Sequence, residues 1–128
     1  MKSLIDKIGA RPGARAIFIN APADAMAVID VSQLKIGSSL KDEFHYIHLF
    51  CRTEDELAIK FPKIKGHLAS TGMLWVSWPK SGQLTTDLSS AAVTRIGAQN
   101  GMIESKSISI NETWSGLKFT FPKEVSGS

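Results

Sequence analysis

The amino-acid sequence predicts an α/β three-layer sandwich: a mostly parallel sheet of five to six strands, helices on both faces, and a C-terminal antiparallel hairpin. Three observations predict it. Strand-like and helix-like segments alternate along the chain, as they do where a parallel sheet is covered on both sides. Two strand segments, Phe44–Cys51 and Met73–Trp78, are almost continuously apolar, the mark of strands with no face toward water. The last two strand segments are joined by only six residues, Asn111–Gly116, a connection length suited to a hairpin.

The elements follow in order. Ser3–Ile8 reads as a short helix closed by Gly9, and Arg11-Pro12-Gly13 as a turn. Arg15–Ile19 is a short apolar strand that ends at Asn20-Ala21-Pro22. Ala23–Ile29 follows as a helix, with Pro22 suited to its first position. Gln33–Ile36 is a weak strand, and Phe44–Cys51 a central one. Thr53 and Glu56 form a capping box at the next helix start. Pro62 is expected to interrupt that helix, with a further turn running to about Ser70 before Gly72 stops it. After the strand Met73–Trp78, Pro79–Thr86 is a polar loop, and Asp87 is expected to cap a helix whose Leu88, Ala92, Val93 and Ile96 share one face. Met102–Ile110 and Leu117–Phe121 complete the hairpin.

At 128 residues, with 43% hydrophobic and 21% charged residues, the chain has ordinary globular composition. It is expected to form one domain over residues 1–124, followed by a flexible tail at 125–128. No apolar run approaches the roughly 18 residues of a membrane span. The N-terminal residues lack a signal peptide's apolar stretch and cleavage site. The single cysteine, Cys51, cannot form an internal disulfide, so a cytoplasmic setting is expected. Fifteen basic and twelve acidic residues leave a net charge of +3, but the basic residues are scattered. The one cluster, Lys60, Lys63 and Lys65, follows Glu54-Asp55-Glu56 in the order that complements a helix dipole. No basic stripe is visible, which argues against nucleic acid as a partner.

Two stretches carry a resemblance: LWVSWPK at 74–80, followed by TDL at 86–88, and NETWSGLKF at 111–119. With IGARPGARAIFINAP near the start and FHYIHLF in the middle, the chain resembles over nearly its whole length a bacterial family recorded as a domain of unknown function. It departs from that family at His45, where similar sequences carry an aspartate. More distantly, the layout is similar to a trimmed Rossmann-like methyltransferase that uses S-adenosylmethionine. That resemblance implies a glycine-rich turn after the first strand and an acid at the end of the second. Here the turn reads Asn20-Ala21-Pro22-Ala23, without glycine, and Pro22 removes a backbone donor. Asp42 lies several residues beyond the weak second strand.

In open parallel sheets, ligands bind outside the carboxyl ends of the strands where the winding reverses. That rule selects Asn20 after the first strand, Arg52 beside Cys51 after the central one, and Trp78 and Lys80 after the third. Trp114, with Glu112 and Ser115 on the hairpin turn, is a further candidate for the crevice wall. Trp78 would stack on a ligand, and Arg52 and Lys80 would supply charge. Trp75, three residues from Trp78 on a strand, faces the other side and belongs to the core. His45 and His48 also face opposite sides, and no cluster of Cys, Asp or Glu completes a metal site. His48 is expected to be a hydrogen-bonded core residue. Arg52 could activate Cys51 as a thiolate, whereas a buried cysteine would be inert. No GxSxG elbow is present.

The leading expectation is a small domain without a catalytic constellation that binds a small anionic or nucleotide-like ligand, or a protein partner, at the carboxyl edge. A divergent S-adenosylmethionine-dependent methyltransferase is the alternative. A third reading is a ligand-free module that pairs with another copy through its last hairpin, which Glu104 and Lys106 would oppose as edge charges.

Overall fold

A computed structural model describes residues 2–123. The expected tail, 125–128, lies outside the described residues. Six strands form one sheet in the order β2-β1-β3-β4-β6-β5. These are β1 (Arg15–Ile19), β2 (Lys35–Ile36), β3 (Phe44–Phe50), β4 (Leu68–Pro79), β5 (Ile103–Ser109) and β6 (Trp114–Thr120). The first four are parallel, and β6 runs antiparallel to both β4 and β5. The helices are α1 (Leu4–Ile8), α2 (Ala23–Met26), α3 (Glu54–Lys65) and α4 (Ser90–Gln99).

Alternation along β3 and β4 divides the buried residues into two layers. Ile47, Leu49, Val76 and Trp78 face α3 and α4, meeting Leu57, Phe61, Ile64, Val93 and Ile96. Tyr46, Phe50 and Trp75 face the other way, with Ile8 of α1, Ala25 of α2 and Trp114. The near-continuous apolar runs thus arise because both faces of the central strands are covered. Trp75 Nε1 donates to Ile8 O at 3.2 Å, fastening α1 to the sheet. Among the described residues no helix is long and apolar enough to cross a membrane.

Several boundaries differ from the sequence-based expectation. Pro62 does not interrupt α3, which runs on to Lys65. Proline there forfeits one backbone bond near the helix end, while buried Leu57, Phe61 and Ile64 on either side hold the helix to the sheet. Consequently β4 begins at Leu68 rather than Met73. Gly72 lies inside that strand, where a Cβ would come within 3.0 Å of His45 O. It serves a close approach of backbones, at the register shift between Phe44↔Leu68 and Tyr46↔Met73. Helix α2 is four residues long and β2 two, both shorter than expected. Strand β6 starts at Trp114 rather than Leu117, because Ser115 and Gly116 pair with Trp78 and Ser77. The cap of α4 is Ser89, whose Oγ accepts from Ala92 N at 3.2 Å. Thr53 caps α3, its Oγ1 accepting from Glu56 N at 3.1 Å, but Glu56 accepts from Arg52 N instead of closing the box. Asp87 supplements that cap, its Oδ1 accepting from Glu54 N at 2.8 Å.

Candidate functional site

The chain leaves β1 for β2 on one side and returns to β3 on the other, so the winding reverses at β1. The carboxyl ends of these strands and of β4 form the edge where loops converge. After β1 the chain turns through Asn20, whose φ of 58° is left-handed. Asparagine tolerates that region better than most residues, so it takes the place a glycine would fill. Pro22 is the N-cap of α2 rather than its first residue, and it makes no side-chain capping bond. After β3, Arg52 is exposed and its Nε donates to Thr85 O at 3.1 Å. Thr86 Oγ1 donates to Arg52 O at 2.6 Å and accepts from Leu88 N at 3.0 Å. The loop between β4 and α4 is thereby tied to the end of β3.

Against this loop a pocket of about 650 Å³ opens between the end of β4 and the start of α4. Trp78 lines it from below, with Lys80, Thr85, Thr86, Ser89 and Ser115 around it, and no acid among the lining residues. Trp78 is only 6% exposed and belongs to the core under α4, so a sliver of its indole meets the pocket. Lys80 Nζ donates to Ser109 Oγ at 2.6 Å. The first turn of α4 carries no acidic residue. Ser89 and Ser90 at its start line the pocket, so the positive end of its dipole lies there without a carboxylate. An ammonium, a helix N-terminus and a ring of hydroxyls together suit an anion.

The structure treats the five expected site residues unequally. Trp78 and Lys80 share this pocket, and Arg52 holds its wall through Thr85. Asn20 is exposed on the β1 turn, outside the pocket. Trp114 lies beneath the opposite face, 5% exposed and edge-on to Phe50 at 5.4 Å. Its Nε1 is buried without a hydrogen-bond partner among the described residues. The turn before it is pinned to α2, since Asn111 Nδ2 donates to Asp24 Oδ2 at 3.1 Å. Sequence reasoning missed Ser89, for which the Ser-Ser pair ahead of the helical run was the available signal, whereas Ser115, named with the hairpin turn, does line the pocket.

A second constellation lies inside the sheet. Tyr46 Oη and His48 Nδ1 are 2.7 Å apart, as are His48 Nε2 and Ser77 Oγ. This is the order of hydroxyl, base and orienting group used in nucleophilic catalysis. Yet Ser77 and His48 are both 0% exposed, and Phe50 stacks on the imidazole at 4.4 Å. Burial pushes His48 down to about 3 and Tyr46 well above its usual value, so the imidazole is neutral. The relay satisfies buried polar groups and reaches no substrate. Cys51 is similarly withdrawn: burial, with a smaller contribution from Glu56, pushes its thiol up to about 12. The activated thiolate suggested by its neighbour Arg52 is therefore not formed. Among the described residues, no group of three His, Cys, Asp or Glu side chains could hold a metal ion.

With this topology in view, solved structures provide the comparison. The ribosomal protein L11 methylase from Lactobacillus delbrueckii subsp. bulgaricus is similar over 93% of this chain and 75% of its own, with TM-score 0.58 and 10% identity. Magnesium protoporphyrin IX methyltransferase from Synechocystis PCC 6803, solved with bound SAM, is similar over 92% of this chain and 74% of its own, with TM-score 0.63 and 10% identity. The fold is the Rossmann-like methyltransferase fold. A TehB-like SAM-dependent methyltransferase from Corynebacterium glutamicum shares it, at TM-score 0.60 and 10% identity over 92% of this chain and 85% of its own. No protein-family model matches the chain, and neither does any curated protein sequence.

The methyltransferase fold implies S-adenosylmethionine, but the residues at this edge do not fit it. The β1 turn offers Asn20-Ala21-Pro22, without the glycine that lets backbone approach a ligand, and Pro22 has no N–H to donate. The helix that follows is four residues long, too short to present a substantial dipole. Strand β2 ends at exposed Ile36, and Gly37 follows where the resemblance calls for an acid.

Proposed function

We propose that the protein is a small cytoplasmic binding domain that holds a small anionic or nucleotide-like ligand at the carboxyl edge of its sheet. The site is the pocket between β4 and α4. The observation that carries this reading is the placement of Lys80 beside the acid-free first turn of α4 in a pocket with no carboxylate. Lys80 supplies the charge, the start of α4 supplies backbone donors, and Arg52 shapes the wall through Thr85. Trp78, Pro79 and Lys80, with Thr86 and Leu88, line this pocket, which further supports it. Catalysis is not part of the proposal, since the buried relay and Cys51 are closed to a substrate.

A divergent methyltransferase is the second reading, favoured by the fold and by the SAM bound in one structural neighbour. Thermal shift separates the two. Adenine nucleotides, NAD, simple phosphates, S-adenosylmethionine and S-adenosylhomocysteine are each added to the wild type and to Lys80→Met. A ligand at ~100 times its Kd stabilises the fold by roughly 2.7 kcal/mol. The binding proposal expects that response from anionic ligands and its reduction in Lys80→Met. A response to the two adenosyl compounds alone supports the methyltransferase reading. Trp78→Ala is a poor probe, because removing a buried indole damages the core.

A further inference from the structure

The other end of the sheet carries a separate pocket. A pocket of about 590 Å³ lies at the amino edge, beneath the turn from α1 to β1. Arg11, His45 and Lys118 line it, together with bare backbone at Gly9, Gly13 and Gly72, and none of its lining residues is acidic. Gly9 and Gly13 have φ of 92° and 84°, and a Cβ at Gly13 would meet nothing within 4 Å. The turn therefore presents main chain rather than side chains to the pocket. The N–H groups of Ala10 and Arg11 make no hydrogen bond among the described residues. Ala10 is half-buried and Arg11 exposed, so these donors are open to a ligand from solvent.

Lys118 is the second part of the observation. It sits on β6 directly opposite Lys106 of β5, on the face covered by α1. Like charges directly opposite on neighbouring strands repel. Lys106 Nζ is occupied by Lys7 O at 2.6 Å, at the end of α1. Lys118 has no such partner: its half-buried side chain runs under Gly9, and it makes no ion pair or hydrogen bond among the described residues. A half-buried lysine, an arginine and the Ala10–Arg11 backbone thus line one acid-free cavity.

We infer that this amino-edge pocket binds a small polyanion of the phosphate class, with Lys118 and Arg11 as its charged contacts and the Ala10–Arg11 backbone as its cradle. The cavity exceeds the size of a bare phosphate, which leaves room for a group esterified to it. This inference is independent of the carboxyl-edge proposal, and the two fail separately.

Calorimetric titration with inorganic pyrophosphate and with ADP tests it, on wild type, Lys118→Met, Arg11→Gln and Lys80→Met. Methionine keeps the packing of the Lys118 stem, and Arg11 is exposed, so both variants should melt near the wild type. Losing one charge-assisted contact is expected to weaken binding by about tenfold or more. The expected result is that loss in Lys118→Met and Arg11→Gln, in a component of the binding that survives in Lys80→Met. Pyrophosphate binding alone marks a free anion as the occupant, and ADP binding with the same losses marks a phosphate ester. Wild-type protein that binds neither probe at millimolar concentration overturns the inference. Binding that only Lys80→Met weakens overturns it too, while leaving the carboxyl-edge site standing.

Discussion

Ser77 Oγ lies 2.7 Å from His48 Nε2 in the middle of the sheet, where neither residue has any exposed surface. The pair is a structural joint between β3 and β4, and it makes the fold sensitive to acid. Burial lowers His48 to about 3 in the folded state, against about 6.5 when unfolded. Between those values the unfolded chain binds a proton that the folded one does not. Stability therefore falls as pH drops through 6.5 and levels off near 3, by about 1.4 kcal/mol per unit at its steepest. Urea unfolding at pH 7.5 and pH 5 checks this; equal stabilities at the two values would exclude it.

Cys51 is expected to ignore thiol reagents while the protein is folded. Its raised thiol and buried position leave no thiolate at pH 8. A disulfide-exchange reagent added with and without denaturant is the test. Slow labelling in buffer and prompt labelling in denaturant are predicted, and prompt labelling in buffer would contradict the burial described.

The tryptophans should respond differently to phenylalanine. Trp75→Phe removes the donor to Ile8 O and leaves that carbonyl buried and unpaired, on top of a cavity. Trp114→Phe leaves a comparable cavity but removes a buried donor that has no partner. Trp75→Phe is expected to be the more destabilising by about 1–3 kcal/mol, the usual cost of an unsatisfied buried group. Denaturation midpoints of the two variants decide it.

Asp87→Ala is expected to cost about 1 kcal/mol by freeing the first N–H of α3, which Thr53 does not satisfy, although Asp87 is thirty-three residues away in sequence. Glu54 N is the amide whose hydrogen exchange should accelerate. If exchange accelerates at the start of α4 instead, the cap assignment is wrong.

Gly97→Ala should be among the most disruptive single-methyl changes. The added Cβ would lie 2.1 Å from Phe119 Cε1, a ring held in the core against Phe61. Overpacking of this kind costs typically 1–3 kcal/mol, visible as a lowered melting temperature.

Much of the layering was legible in the sequence because it depends on local apolar runs. FHYIHLF and LWVSW could only be strands covered on both sides, and Trp75 and Trp78 had to face apart. The cap of α4 was not legible. Asp87 and Ser89 are both good N-caps, and only the position of α3 across the sheet commits Asp87 to Glu54. Gly72 read as a helix stop because its reason, the nearby His45 carbonyl, belongs to another strand. The candidate pocket was half legible for the same cause. The crevice rule selected Trp78 and Lys80 from strand ends alone, and both line the pocket, whereas Ser89 joins them only through tertiary packing. Trp114 looked like a turn residue until Ser115 and Gly116 proved to be paired strand.

The most direct test of the carboxyl-edge site is an amide chemical-shift titration of the labelled protein with ADP. The account predicts saturable shifts at Lys80, Thr85 and Ser89–Ala91, which Lys80→Met abolishes. Shifts confined to Asn20–Ala23 and Gly37, with β4 and α4 silent, would place the ligand over the β1 turn and contradict it.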